Sequence, residues 1–247
     1  MKFAMKSIVA AAAFVAVGVA SAASVTVPVG TVYNGLSFTG SGSLSFSADL
    51  LGALDTGKVS VAGYGAATAT VLKDSDGFYT EASASAPITA LTIDTATNAV
   101  LSAATTGGAT QTAPVLKSVS SGGSLTVTDL NVDLANKKVY ATIIGGNGVG
   151  TLNNFYLWDI GSITGDTTVA GAGTYTTTLT GLSITTDGFN KFVTSLGLLN
   201  LGKSALMGVT DFGTITSTIT AVPEPSSYAL MGLGLAGMGL VARRRAK

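Results

Sequence analysis

From Ser24 to Ala221 apolar residues recur at every second position in short runs, and glycine or an Asp/Asn pair interrupts almost every run. Val25, Val27 and Val29 alternate with small polar residues, as do Leu36 and Phe38, then Leu44 and Phe46, bounded by Gly30, Gly35, Gly40 and Gly42. Successive side chains of a strand point to opposite faces, so this period buries one face of an antiparallel strand and leaves the other polar. The chain is therefore expected to be mainly β, an antiparallel β-sandwich-like body, with the glycines as turn punctuation.

The same reading places strands along the chain. Leu91–Val100 and Leu130–Val139 repeat one hairpin pattern at an offset of 39 residues, each turning at an Asp. Asp and Asn suit such turns because their side chains bond nearby backbone and tolerate left-handed geometry. The phase of Ser124–Gly146 slips near Thr128-Asp129, which predicts a bulge. Strands are further expected at Lys58–Val61, Leu152–Ile160, Tyr175–Ile184 and Gly213–Ala221, with a brief helical turn over Ser47–Leu54. One short helix is predicted after Thr186 as N-cap, with Asp187 in its first turn, Phe189, Phe192, Val193 and Leu196 on one face, and Gly197 past its end. Low hydrophobic content near Thr105–Pro114 marks a soft boundary within the body, leaving one domain or two open.

Composition narrows the chemistry. The chain of 247 residues has no Cys and no His. Thiol nucleophiles, Ser-His-Asp triads and Cys/His zinc sites are excluded together. Charged residues make up only 11%. Within 23–222 seven lysines face twelve carboxylates, a net charge of −5, and every arginine lies in the tail. An acidic body without guanidinium groups does not suit nucleic acid. No cofactor is expected, and the chain is read as not an enzyme. Glu81 is the only Glu of the body, so a hydrolase built on Asp pairs is the weakest reading.

Two weaker signals keep a binding module open. Lys73-Asp74-Ser75-Asp76-Gly77 resembles the opening of a calcium loop, although Asp-Gly equally makes a hairpin turn. Asp129, Asn131 and Asp133 alternate on one strand face, which is either a solvated face or a second place for calcium. Tyr156 and Trp158 alternate on another strand and can stack on a sugar ring, or pack in the core. Gly232-Leu233-Gly234-Leu235-Ala236-Gly237 matches the dinucleotide fingerprint by letter, but no acidic residue follows at the required distance, and the reading is rejected.

Both ends carry addresses. Residues 1–22 open with Lys2 and Lys6, continue through an apolar stretch from Ile8 to Val19 and end in Ala20-Ser21-Ala22. That is the order of a secretory signal peptide, with signal peptidase cutting after Ala22 once the general secretion machinery has exported the chain. At the other end Pro223-Glu224-Pro225 precedes a Ser pair, an apolar Gly-rich run over 228–242 and the basic stop Arg243, Arg244, Arg245. Fifteen residues of helix span about 22 Å, short of the ~20 residues a bilayer core asks for. The expected transmembrane helix is thus a marginal anchor, with its basic end held in the cytoplasm and the body outside.

This tail, over 223–247, resembles the PEP-CTERM sorting family of Gram-negative bacteria. The resemblance implies recognition by an exosortase through Pro223, Glu224 and Pro225, with transient residence in the inner membrane. It further implies a final place in the envelope or extracellular matrix, associated with exopolysaccharide or biofilm. Family bodies are diverse, so the resemblance assigns nothing to residues 23–222. The expected function is that of an exported structural or matrix protein; the alternative is a carbohydrate-binding or calcium-dependent adhesin module.

Overall fold

The computed structural model describes residues 23–224, 230–236 and 238. The expected signal peptide at 1–22, Pro225, residues 228, 229, 237 and 239–242 of the apolar run, and Arg243–Arg245 lie outside the described residues. Among the described residues no helix is long and apolar enough to cross a membrane.

In chain order the elements are β1 (Ser24–Pro28), β2 (Val32–Tyr33), β3 (Leu36–Phe46), α1 (Ala48–Gly57), β4 (Ser60–Tyr64), β5 (Thr68–Lys73) and β6 (Tyr79–Asp94). There follow β7 (Val100–Thr105), β8 (Gly108–Leu116), β9 (Ser120–Asp133), β10 (Lys138–Gly145), β11 (Gly150–Gly165) and β12 (Gly173–Ile184). The body ends with α2 (Thr186–Ser195), α3 (Asn200–Met207) and β13 (Gly213–Pro223).

All strands join one antiparallel sheet. From β6 the ladder passes through β3, β13, β12, β11, β10, β9 and β7, and β7 pairs again with β6. The expected mainly β, antiparallel character holds. In place of a sandwich of two sheets, the sheet closes on itself as a barrel. Closure pairs the ring strands on both sides and leaves edges only on β1, β2, β4 and β5, which each pair with a single strand.

The barrel widens at a fork. Residues 79–85 of β6 pair with β5, whereas Ile88–Ile93 pair with β7. On the opposite side β9 pairs with β8 over 120–128 and with β7 over 131–133. β7 and β8 therefore run as one kinked line along β9, and β4, on β8, and β5, on β6, fill the gap below the kink. The stretch Thr105–Pro114 carries this kink. Pro87 sits at the fork, where a residue without N–H costs no ladder bond, and its carbonyl accepts from Thr106 N at 3.1 Å. Gly107, at φ +89°, turns the kink, and a Cβ there would meet Ala67 N at 2.5 Å and Tyr64 O at 2.8 Å. The predicted bulge is at Asp129, φ 50°, whose Oδ1 accepts from Gly107 N at 2.9 Å.

The repeated hairpins are neighbours in the sheet, since β7 pairs with β9. Asp94 Oδ1 accepts from Ala96 N at 2.8 Å, and Asp133 Oδ1 from Asn136 N at 2.9 Å. Asn98 and Lys137, which hold the same place in the two copies, both take positive φ, 56° and 55°.

Within 23–224 three helices stand where one helix and one brief helical turn were expected. α1 extends the predicted turn because Ser47 caps it, its Oγ accepting from Leu50 N at 3.1 Å. α2 is capped by Thr185 rather than Thr186, with Gly188 N donating to its Oγ1 at 3.0 Å, and Gly197 at φ 61° ends it. α3 starts at Leu199 without a side-chain cap. Leu50, Leu54, Phe192, Leu196 and Leu206 join Leu125, Ile143, Phe212 and Ile215 in one core cluster, so the helices plug one end of the barrel. Val27, Phe38, Leu91, Ile93, Val100 and Ile219 form a second cluster nearer the other end.

Candidate functional site

Three places in the fold bear on function: the tail, an outer aromatic face and a chamber between the two core clusters.

At the tail, β13 lies between β12 and β3 and runs straight into the motif. Pro223 is its last residue and pairs with Leu36, and Glu224 N donates to Gly35 O at 3.2 Å. Pro223 therefore belongs to regular structure. A proline at a strand end gives up no interior ladder bond, so the strand extends through it. The described part of the following apolar run, 230–236, is helical and exposed.

The geometry separates the aromatic pair read from the alternation. Tyr140 pairs with Tyr156 and Val139 with Trp158, leaving Leu157 as an extra residue on β11. This bulge turns Trp158 into the core, 3% exposed, and Tyr156 to the outside. Leu157 packs under the start of α2, where a Cβ on Gly188 would reach its Cδ1 at 3.0 Å. Trp158 and Tyr156 thus share no surface: of the two alternatives, Trp158 takes core packing, and a joint sugar platform does not form. Outside, Tyr156 lies against Tyr140 with centroids 5.5 Å apart, and Lys138 Nζ stands 4.5 Å from its ring. The Tyr156 hydroxyl donates to Asp159 Oδ1, and this bond to a carboxylate, with smaller contributions from burial and nearby charge, pushes the phenol up to about 12.

The carboxylates proposed for calcium serve the backbone. Asp74 Oδ1 accepts from Asp76 N at 3.0 Å and Phe78 N at 2.9 Å, closing the β5–β6 turn. The bulge takes Asp129 out of register with Asn131 and Asp133, and Asp133 Oδ2 accepts from Asn136 Nδ2 at 2.7 Å. Among the described residues no three acidic groups converge to hold a metal.

The chamber was not foreseen. Gly42, Ala84, Ala86, Ala103 and Ser217 point inward at the waist of the barrel, between layers carrying Phe38 and Ile88 on one side and Phe46 and Phe212 on the other. Their small side chains leave a cavity of about 60 Å³. Trp158 and Ser217 line it, and Trp158 Nε1 and Ser217 Oγ are buried without a partner.

The PEP-CTERM protein-sorting motif matches residues 221–245 of the chain. The match begins inside β13, at the point where the barrel ends. The chain carries a PEP-CTERM sorting motif. Its Pro223 and Glu224 are the two residues seen held against Leu36 and Gly35, so the motif starts on the barrel rim. No curated protein and no solved structure matches the chain.

Proposed function

We propose that the chain is a non-catalytic exported protein whose β-barrel body is delivered to the envelope or extracellular matrix by an exosortase acting on its tail. The observation that carries this reading is the sorting motif at 221–245, directly continuous with β13. Signal peptidase and the general secretion machinery act at the other end, on the leader read at 1–22. In the interval the run 228–242 holds the protein in the inner membrane, with Arg243, Arg244 and Arg245 on the cytoplasmic side. A mildly acidic body of low charge density, rich in Thr and Ser, suits a structural role beside exopolysaccharide, where solubility at high local concentration matters more than chemistry.

The test is the double variant Pro223→Ala, Glu224→Ala, followed by fractionation and intact-mass measurement. Unprocessed protein should accumulate in the inner membrane, while the parent chain appears outside with both ends trimmed. Normal release of the double variant would overturn the reading.

One observation favours a carbohydrate-binding role as a second reading. Tyr140 and Tyr156 form a tilted pair on the outer face with Lys138 and Asp159 beside it, an aromatic surface edged by charge. Retention on a panel of immobilised polysaccharides, lost in Tyr140→Ala, would support it. Equal retention of the parent and Tyr140→Ala counts against it.

A further inference from the structure

Protein interiors are packed to the density of organic crystals, and an eight-strand barrel is just wide enough for its own side chains to fill or for one small ligand. This barrel fills both ends with large residues and leaves its middle to Gly42, Ala84, Ala86, Ala103 and Ser217. The space of about 60 Å³ is several times the ~10–15 Å³ needed for one water. Water suits it poorly, since a buried water wants two to four polar partners and the wall is mostly aliphatic and aromatic.

The wall is also incomplete in a second way. Trp158 Nε1 can only donate a hydrogen bond, and it is buried with nothing to accept it. Ser217 Oγ is in the same condition. Ser43, Thr105, Thr177 and the buried Gln111 also line the space; of their hydroxyls, Thr177 Oγ1 donates to Asp166 O at 2.5 Å and Thr105 Oγ1 to Leu130 O at 3.4 Å. Buried polar groups of native proteins are nearly always paired, so an orphan donor on the wall of an empty apolar chamber marks a missing acceptor. No Asp, Glu, Lys or Arg lines the space. A charged occupant would be desolvated without compensation.

One occupant answers the unfilled volume, the orphan donors and the absence of charge together. We propose that the chamber is a binding site for a small neutral molecule, roughly the size of a six-membered ring, apolar except for one hydrogen-bond acceptor. Its apolar body lies among Ala84, Ala86 and Leu44, and its acceptor takes the proton of Trp158 Nε1 or Ser217 Oγ. The barrel would then carry a hydrophobic cargo or fragrance-sized metabolite class, independent of how the tail is sorted.

Trp158 is the single tryptophan of the chain, so its emission reports the chamber directly. The purified full-length protein is titrated with cyclohexanone, which has a ring and an acceptor, and with methylcyclohexane, which keeps the shape and lacks the acceptor. Cyclohexanone should shift Trp158 emission saturably, at one molecule per chain, and bind several-fold more tightly than methylcyclohexane, the usual worth of one hydrogen bond. Ala86→Val and Ser217→Val put extra methyl groups into the space and should each weaken cyclohexanone at least tenfold. Where a filled variant does not fold, cross-relaxation between the bound ring and the Ala84 and Ala86 methyls locates the molecule in the parent protein. A linear, non-saturating response overturns the proposal. So does unchanged affinity in a folded filled variant, equal affinity for the two probes, or the absence of contact with those methyls.

Discussion

Gly107 and Gly77 form an internal comparison that tests the forked barrel. Both take nearly the same backbone angle, φ +89° and +85°, so alanine carries a similar torsional cost at each. For an L residue held in that region the cost is of order 1–2 kcal/mol. Their surroundings differ completely. A Cβ on Gly77 meets nothing within 4 Å, whereas on Gly107 it meets Ala67 N at 2.5 Å, Tyr64 O at 2.8 Å and Ala66 N at 2.9 Å. Those are backbone atoms of the turn between β4 and β5, which no rotamer change can move. Relief requires the turn to back out of the fork, and forced overpacking of this kind costs a further ~1–3 kcal/mol. Gly77→Ala is therefore expected to lose about 1 kcal/mol and Gly107→Ala about 3 kcal/mol. In a domain of this size the gap of about 2 kcal/mol corresponds to ~4–8 °C in melting temperature. Urea unfolding followed by Trp158 fluorescence gives both values on one scale. Equal losses at the two sites would show that the β4–β5 turn is not seated against Gly107, and the fork would fall with it.

Asp129→Ala removes the acceptor of Gly107 N and Thr106 Oγ1 at the same kink, and should cost about 1–3 kcal/mol in urea unfolding. Ser47→Ala deletes the cap of α1 and the bond from Ser47 Oγ to Asp211 O, for an expected loss of about 1–2 kcal/mol in the same assay. Tyr156 titrates in the fold near 12 against an ordinary value of 10. Its raised value means that the folded state holds the proton longer, so the associated stability is intact below pH 10 and is lost as pH rises toward 12. Burial also raises Tyr79, so ultraviolet titration of the seven tyrosines should show two late ionisations, of which only the one from Tyr156 moves down in Asp159→Asn; late ionisation unchanged in that variant refutes the assignment.

Local features of this fold were readable because their causes are local. The Asp94 and Asp133 turns, the bulge at Asp129 and the glycine that ends α2 each rest on a residue type with its own backbone preference. α3 escaped because it has neither signal: Leu199 offers no cap, Gly202 interrupts the pattern, and Leu201 and Met207 point to solvent. Gly202 is there for close approach, since a Cβ would sit 2.3 Å from Val119 O. Alternation misled at Tyr156 and Trp158 because one extra residue, Leu157, inverts the face of everything beyond it. Closure of the sheet was out of reach, resting as it does on β7 pairing both β6 and β9, contacts that no periodicity within a strand encodes. The chamber is harder still: Gly42, Ala84, Ala103 and Ser217 are unremarkable singly and meet only when four strands curve together. The sorting motif was legible because it is a linear run of residue types over 221–245 that needs no folded neighbours to be recognised.

The position of that motif makes one more outcome calculable. If processing removes the tail at or after Glu224, nothing of the barrel leaves with it, because β13 keeps all its pairings to β12 and β3 through Pro223. A chain of residues 23–224 should therefore melt within about 2 °C of the full-length protein, a difference worth less than about 1 kcal/mol. Ending the chain at Phe212 instead removes an 11-residue strand that is hydrogen-bonded on both sides, and takes Ile215 and Ile219 out of the two core clusters. Burial of those two side chains alone is worth ~1.5–3 kcal/mol each, and reopening the ring exposes β3 and β12 as new edges. Against a total stability of about 5–15 kcal/mol, that loss leaves no cooperative transition. Circular dichroism melts of the two truncations decide the matter. A 23–224 protein that melts far below its parent would mean that the tail is part of the folded body, and a handle that stabilises its cargo is not one an enzyme can remove without consequence.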